Sequence, residues 1–428
     1  MKNVFTFFHS IQFIAFGLCI VLYANTLKSQ WVYCNGPGND LIVYCFASSG
    51  NKLFAGTYSG VYLSTNIGSS WTAVNNGLPA ERVYGLVFSG PNLLAGIVLG
   101  GASGGVYRTT NNGTSWTPSN SGLTNLEVTT LAVFGNDVFA GTVFPSLNFR
   151  STNNGLSWTQ IGSTGAGVYD FVKIGSDLFA GTYGSGVYRS SNNGSSWTAV
   201  NNGLSNLDVY SFIASGSNLF VGLEYNGLGS LYRSTDSGMN WISVNNEISE
   251  TRIGALISHG SNIIAGTSFD SDIFLSTNQG SNWTSIGTGY SQTSALTFYV
   301  YDNYIFAGSY GDGAWRRPLS EIISVQNLST EVPSNFALHQ NYPNPFNPTT
   351  NIEFAIPKHS NVKITVYDSQ GKEVISLLNK RLNAGKYKVD FDGSGYSSGV
   401  YFYKLVMNGT NSSETEGYTA VKKMLLTK

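Results

Sequence analysis

The sequence predicts an all-β protein: a seven-bladed β-propeller followed by a small immunoglobulin-like β-sandwich. Three observations lead there. Of the 428 residues, 50 are Gly, 14% are aromatic and only 11% are charged, which suits short apolar strands joined by tight turns and does not suit a disordered chain. A phrase ending in Trp recurs about every 42 residues through the first three quarters of the chain, the spacing of a four-stranded repeat unit. Beyond it the composition shifts: residues 52–317 contain two lysines, Lys52 and Lys173, whereas 333–428 contain ten.

The phrase Ser/Thr-x-Asn/Asp-x-Gly-x-x-Trp occurs six times, at Ser64–Trp71, Thr109–Trp116, Ser151–Trp158, Ser190–Trp197, Ser234–Trp241 and Ser276–Trp283. Successive tryptophans lie 45, 42, 39, 44 and 42 residues apart, and an aromatic stands nine residues before each. A second phrase, two hydrophobics followed in most copies by Ala-Gly-Thr, begins at Leu53, Leu93, Val138, Leu178, Leu219, Ile263 and Ile305. Each unit therefore reads as an inner strand, a Gly/Asn turn, the Ala-Gly-Thr strand, a loop, a third strand, and an Asn-Gly turn into an outer strand opened by Trp. Asn and Gly tolerate the positive φ that such turns demand. Seven copies of the second phrase meet only six of the first. The segment from Trp31 to Gly38 matches Trp71 to Leu78 and lies 40 residues before it, so Trp31 is expected to supply the missing outer strand and close the ring. An open ring would leave an unpaired edge and an unburied sheet face.

These phrases resemble the Asp-box (BNR) repeat of sialidases, sortilin-type receptors, xyloglucan-cleaving propellers and a photosystem II assembly factor, over roughly residues 31–318. The box residues are Asn66, Asn111, Asn153, Asn192, Asp236 and Asn278, together with Trp71, Trp116, Trp158, Trp197, Trp241 and Trp283. Five of the six acidic positions hold Asn, so a turn-stabilising role is expected of them and no metal site. The resemblance implies the fold and leaves the function open.

At the start, Lys2 and an apolar run from Ile11 to Ala24 fit a secretory signal peptide over 1–29, too short to span a bilayer comfortably. A retained membrane anchor is the alternative. Cleavage would leave no transmembrane segment in the mature protein and two cysteines, Cys34 and Cys45, on different strand types of neighbouring units, which argues against a bridge. The propeller is expected over 30–318, a polar linker over 319–334 and a second domain over 335–428. In that domain the run Pro343-Asn344-Pro345-Phe346-Asn347-Pro348 precedes six alternating strands, its prolines fixing an extended lead-in. This run, Val366-Tyr367-Asp368, Gly399-Val400-Tyr401 and the closing Lys422–Leu426 resemble the type A sorting domain of the type IX secretion system. The resemblance implies a Gram-negative host, the type IX machinery as a partner, and delivery to the cell surface or the medium. An adhesive module kept in the mature protein is the alternative.

A formal net charge of −1 offers no positive field to a phosphate backbone, so nucleic acid is not an expected partner. Arg108, Arg150, Arg189 and Arg233 share one repeat position, and Arg82 and Arg252 another, which leaves no arginine triad of the sialidase kind. A glycoside hydrolase requires two carboxyls about 5–10 Å apart. The candidates outside the repeated positions are Asp170, Glu224, Asp270 and Asp312, and Asp170 is the one charge in a row of small or neutral inner-strand residues. His259 has no partners for a metal set, and neither metal nor cofactor is expected. The loops between second and third strands vary most and carry Tyr58, Phe144, Tyr183, Tyr225, Phe269 and Tyr310. With the Asn-Asn-Gly loops at Asn75–Gly77 and Asn201–Gly203 they are expected to open on one face, where rings stack and amides bond a glycan or a protein. The alternative is that they only plug the loops. The sequence thus reads as a secreted, non-catalytic binder of a glycan or protein, with a secreted glycoside hydrolase acting on polysaccharide as the alternative.

Overall fold

The structure is a computed structural model, and it describes residues 30–37, 42–98, 103–224, 230–248, 252–268, 272–291, 294–322, 325–329, 331–408 and 417–428. The expected signal peptide over 1–29 lies outside them. Turn chemistry builds the repeat. In each Trp phrase two consecutive residues take positive φ, as at Ile67 (57°) and Gly68 (77°), the requirement of a tight hairpin. Ser64 Oγ accepts the Gly68 N–H at 2.8 Å, while Asn66 Oδ1 accepts the Ser64 hydroxyl and the Ser70 N–H at 3.0 and 2.9 Å. The other five copies repeat these bonds, including the one built on Asp236. Only an acceptor oxygen is needed, so Asn and Asp serve equally.

Among the described residues the turns join strands into seven four-stranded antiparallel sheets. The first comprises Val43–Ser49, Lys52–Thr57, Gly60–Ser64 and Thr72–Ala73. The seventh takes Ala295–Tyr301, Tyr304–Ser309 and Ala314–Pro318 from its own stretch of chain and Val32–Tyr33 from the beginning, with Val32 opposite Arg316 and Tyr33 opposite Trp315. Inner strands neighbour one another all the way round, Ala295–Tyr301 lying against Val43–Ser49.

Two contacts at different radii set the angle between sheets. Close in, the Gly of each Ala-Gly-Thr strand faces the next sheet's inner strand. A Cβ on Gly56 would stand 2.9 Å from Val83 Cγ1, and one on Gly308 would stand 2.7 Å from the Val43 carbonyl. Further out, each Trp indole N–H donates to a main-chain carbonyl just past the preceding sheet's outer strand. Trp71 reaches Cys34 (3.2 Å), Trp116 Val74 (2.7 Å), Trp158 Ser119 (2.8 Å), Trp197 Gly162 (3.0 Å), Trp241 Val200 (2.7 Å) and Trp283 Val244 (2.7 Å). Trp31 completes the circuit on Ile286 at 3.0 Å. Cys34 and Cys45 are both free thiols, and burial pushes each up to about 12.

The remaining strands form two further four-stranded sheets. One holds Val325–Ser329, Gly385–Asp392, Thr349–Ile356 and Ala337–Leu338; the other holds Glu373–Leu382, Ser360–Asp368, Gly399–Asn408 and Tyr418–Leu426. Phe354, Val389 and Phe391 of the first share a core with Ile364, Val366 and Leu405 of the second. The linker expected over 319–334 needs correcting. Leu319–Glu321 is a 3-10 turn with Leu319 buried, and Val325–Ser329 is an edge strand paired with Lys386–Val389. Edge pairing draws on backbone groups, so a segment with no apolar alternation can join a sheet without announcing itself.

The Trp-to-carbonyl circuit predicts that Trp31→Ala destabilises the chain by about 3–5 kcal/mol, because Trp31 is 1% exposed. Calorimetry should register a clear fall in Tm. Phe144→Ala, at a side chain 88% exposed, should leave the melt unchanged.

Candidate functional site

Every inner strand carries an irregularity at the same place. The register slips between Val43 and Cys45, Val83 and Gly85, Val128 and Thr130, Val168 and Asp170, Val209 and Ser211, Ile253 and Ala255, and Ala295 and Thr297. One extra residue bulges at each slip, and a bulge re-aims the side chain it inserts. The seven bulge residues are Tyr44, Tyr84, Thr129, Tyr169, Tyr210, Gly254 and Leu296. Four tyrosines thereby gather at the strand-start end of the ring. Tyr44 and Tyr84 rings lie 4.6 Å apart, and Tyr169 stacks on Tyr210 at 6.1 Å. The residue-by-residue reading of the sequence missed these four. Their signal was present as the dipeptide Val-Tyr, repeated at Val43, Val83, Val168 and Val209.

The expected loop aromatics join this end unevenly. Tyr58 is 46% exposed beneath the Arg82 guanidinium, whose carbon lies 4.8 Å from the ring centre. Tyr183 is 51% exposed and meets Tyr169 edge-on at 5.9 Å. Tyr310 is exposed and close enough to Tyr44 to help raise its phenol, and the Phe144 ring stands almost wholly in solvent. Tyr225, Phe269 and Asp270 lie outside the described residues. The Asn-Asn-Gly loops reach this end, but Asn75 and Asn201 are occupied: each side-chain oxygen accepts a main-chain N–H, of Val61 and of Val187, at 2.7 Å. Their amides brace the third strand.

The candidate carboxyls are spread. Glu224 pairs with Arg252 at 3.5 Å, while Arg252 also lies 4.5 Å over the Tyr210 ring. Burial first, and then the hydrogen bond to Glu224, push the Tyr210 phenol up to about 12. Asp170 follows the bulge residue Tyr169. Burial pushes its carboxyl up to about 7, opposed by bonds from the Phe171 and Phe212 N–H groups, the second of them in the next sheet. Its geometry is that of a tether between inner strands. The Asp312 N–H donates to Ser309 Oγ at 3.2 Å, which closes its turn. Among the described residues no three of His, Cys, Asp and Glu gather as a metal set.

His259 stands at the opposite end of its inner strand, where the second domain docks. There Gly260 N–H donates to Asp392 Oδ2 at 3.2 Å, Ser261 bonds Asp390, and Ser376 N–H donates to Asn303 at 3.3 Å. Burial lowers the His259 imidazole, with Asp392 partly opposing it. A cavity of about 1040 Å³ lies between the two regions, lined by Tyr299, Tyr301, His259, Asp392 and Tyr396 among others. In the second domain the expected sorting run is tied to the chain's last strand. Asn344 Oδ1 accepts the Leu425 N–H at 2.9 Å, Phe346 N–H donates to the Leu425 carbonyl at 2.9 Å, and the Phe346 ring is 1% exposed. Pro343, Asn344, Pro345 and Asn347 remain exposed and Pro348 half-buried.

Together these features define a β-propeller with a tyrosine-lined mouth at one end and a C-terminal β-domain docked at the other. Residues 340–416 match the secretion system C-terminal sorting domain, and residues 178–304 match the DUF6242 beta propeller domain. The sorting domain marks the protein for type IX secretion to the cell surface or extracellular space in Bacteroidetes. Among solved structures, the extracellular domain of a one-component system from B. thetaiotaomicron is similar at 13% identity and a TM-score of 0.57, over 77% of this chain and 45% of that one. The chain thus spans less than half of that relative. YCF48 bound to D1 peptide is similar at 14% identity and a TM-score of 0.53, over 67% and 96%. An ancestral GH74 enzyme is similar at 17% identity and a TM-score of 0.52, over 66% and 48%. Such identities establish likeness of fold alone. No curated protein matches the chain.

The raised Asp170 carboxyl sets a pH dependence. Its folded value, about 7, lies above the ordinary carboxylate value near 4, so the folded state binds the extra proton between the two and stability falls as pH rises through that window. Asp170→Asn is expected to raise Tm at pH 8 and to leave it nearly unchanged at pH 4, as read by thermal melts across pH.

Proposed function

We propose that this protein is a non-catalytic binder, displayed or released by type IX secretion, which holds a glycan or protein surface at the tyrosine-lined mouth. The observation that carries the reading is the gathering of Tyr44, Tyr84, Tyr169 and Tyr210 by four equivalent bulges, with Tyr58 and Tyr183 beside them. Phenol rings present broad apolar faces with a polar edge, the composition of a surface that stacks on a ligand and bonds its hydroxyls. Two of the candidate acids near the mouth are engaged by the protein itself: Glu224 by Arg252, and Asp170 by two main-chain N–H groups. That supports binding over hydrolysis. Within this reading the ring is a seven-bladed Asp-box propeller over 30–318 behind a signal peptide over 1–29, and the second domain is an immunoglobulin-like sandwich over 335–428 to which Val325–Ser329 adds an edge strand.

Tyr84→Ala and Tyr169→Ala are each expected to weaken glycan or protein-ligand binding by roughly tenfold or more while far-UV circular dichroism stays unchanged. Glycan-array and calorimetric titration of the full chain measure this, and binding that survives both substitutions sinks the reading. Polysaccharide turnover abolished by Asp170→Asn would replace it with the hydrolase. Truncation before residue 335 should leave the protein in the periplasm, as cell fractionation would reveal.

A further inference from the structure

One repeat position carries a guanidinium twice, in two different settings. Arg82 and Arg252 each open an inner strand, eleven residues after a Trp. In the sheet before Arg252, Tyr210 is the bulge residue and Glu224 follows the second strand, Asn218–Leu223. The Arg252 guanidinium rests on the first and pairs with the second, at 4.5 and 3.5 Å. In the sheet before Arg82 the matching residues are Tyr44 and Tyr58, the latter following Lys52–Thr57. Tyr stands where the other copy has Glu. Arg82 lies 4.8 Å over the Tyr58 ring and donates to its hydroxyl at 3.4 Å, and among the described residues no carboxylate pairs with it. Its side chain is exposed, with the contacting rings of Tyr44 and Tyr84 close by.

We propose that the mouth binds a carbohydrate carrying a carboxylate, a uronic acid, and that this carboxylate takes at Arg82 the place Glu224 takes at Arg252. The proposal rests on the binder reading above and adds the charge of the ligand. A guanidinium fork matches a carboxylate with two parallel donors, and the phenols of Tyr44, Tyr58 and Tyr84 supply further hydroxyl donors and flat faces for the sugar ring. Those phenols favour a saccharide, whose ring stacks on their faces, over an acidic peptide, whose carboxylate side chains present no flat face to stack. Because Arg82 is exposed, the acid preference is screened by salt.

The test uses the full chain, a panel of uronate oligosaccharides (oligogalacturonate, alginate and glucuronan fragments) and their carboxyl-reduced, neutral counterparts. The wild type should prefer at least one acidic member over its neutral counterpart by roughly tenfold to a hundredfold, and the preference should shrink as salt rises. Arg82→Gln should abolish the preference, read as the ratio of acidic to neutral affinity in the same variant. Equal binding of acidic and neutral members, or a preference that survives Arg82→Gln, overturns the uronate proposal and leaves the binder reading intact. Capture of short oligoglutamate peptides in place of every saccharide overturns the saccharide assignment. Failure of the panel and of a neutral glycan array and protein ligands alike overturns the binder reading together with it.

Discussion

The indole-to-carbonyl hydrogen bond that ties each sheet to the one before it is the constraint on which the remaining architecture depends. Each is a net gain of only about 1 kcal/mol, yet its position gives it leverage. It acts at the rim, whereas the Gly-to-Val contact acts near the axis, and two contacts at different radii fix a wedge angle. Six of the seven bonds join neighbouring repeats. The seventh spans 255 residues, from Trp31 to Ile286, and converts a row of wedges into a ring. Because the indoles pack while they bond, the restraint includes a large buried apolar area.

A fixed wedge angle brings the starts of all seven inner strands to one end. The bulge then acts on every strand alike, and residues more than a hundred positions apart, such as Tyr44 and Tyr210, become members of one rim. Repetition supplies the frame and the departures from it supply chemistry. Glu224 beside Arg252 is a closed pair, and Tyr58 beside Arg82 leaves the same kind of cation facing outward. The repeated scaffold makes such differences readable, since each position has six counterparts against which it can be compared.

The second domain occupies the other end of the sixth and seventh sheets, through Gly260, Ser261 and Asn303. Its core is continuous with Ile305 and Trp315 of the ring by way of Leu319 and Ile322. The domain that directs export is therefore anchored away from the mouth, and its contacts leave Tyr58, Tyr183 and Tyr310 exposed.

The sequence by itself determined the repeat, the turns and the strand order, because periodic Trp, Gly and Asn are local requirements of hairpins and reveal themselves wherever the chain is read. It also marked the sorting domain, whose Pro-rich run is a local pattern too. It singled out Tyr58, Tyr183 and Tyr310 by the variability of their loops, and it drew attention to Asp170 by the contrast with its column. Only the tertiary structure decided that the bulge tyrosines stand together, that Asn75 and Asn201 face inward to brace a strand, and that the segment after Pro318 completes a sheet. Each of those outcomes depends on backbone partners contributed by distant chain, and a partner that is distant leaves no pattern in the residues beside it.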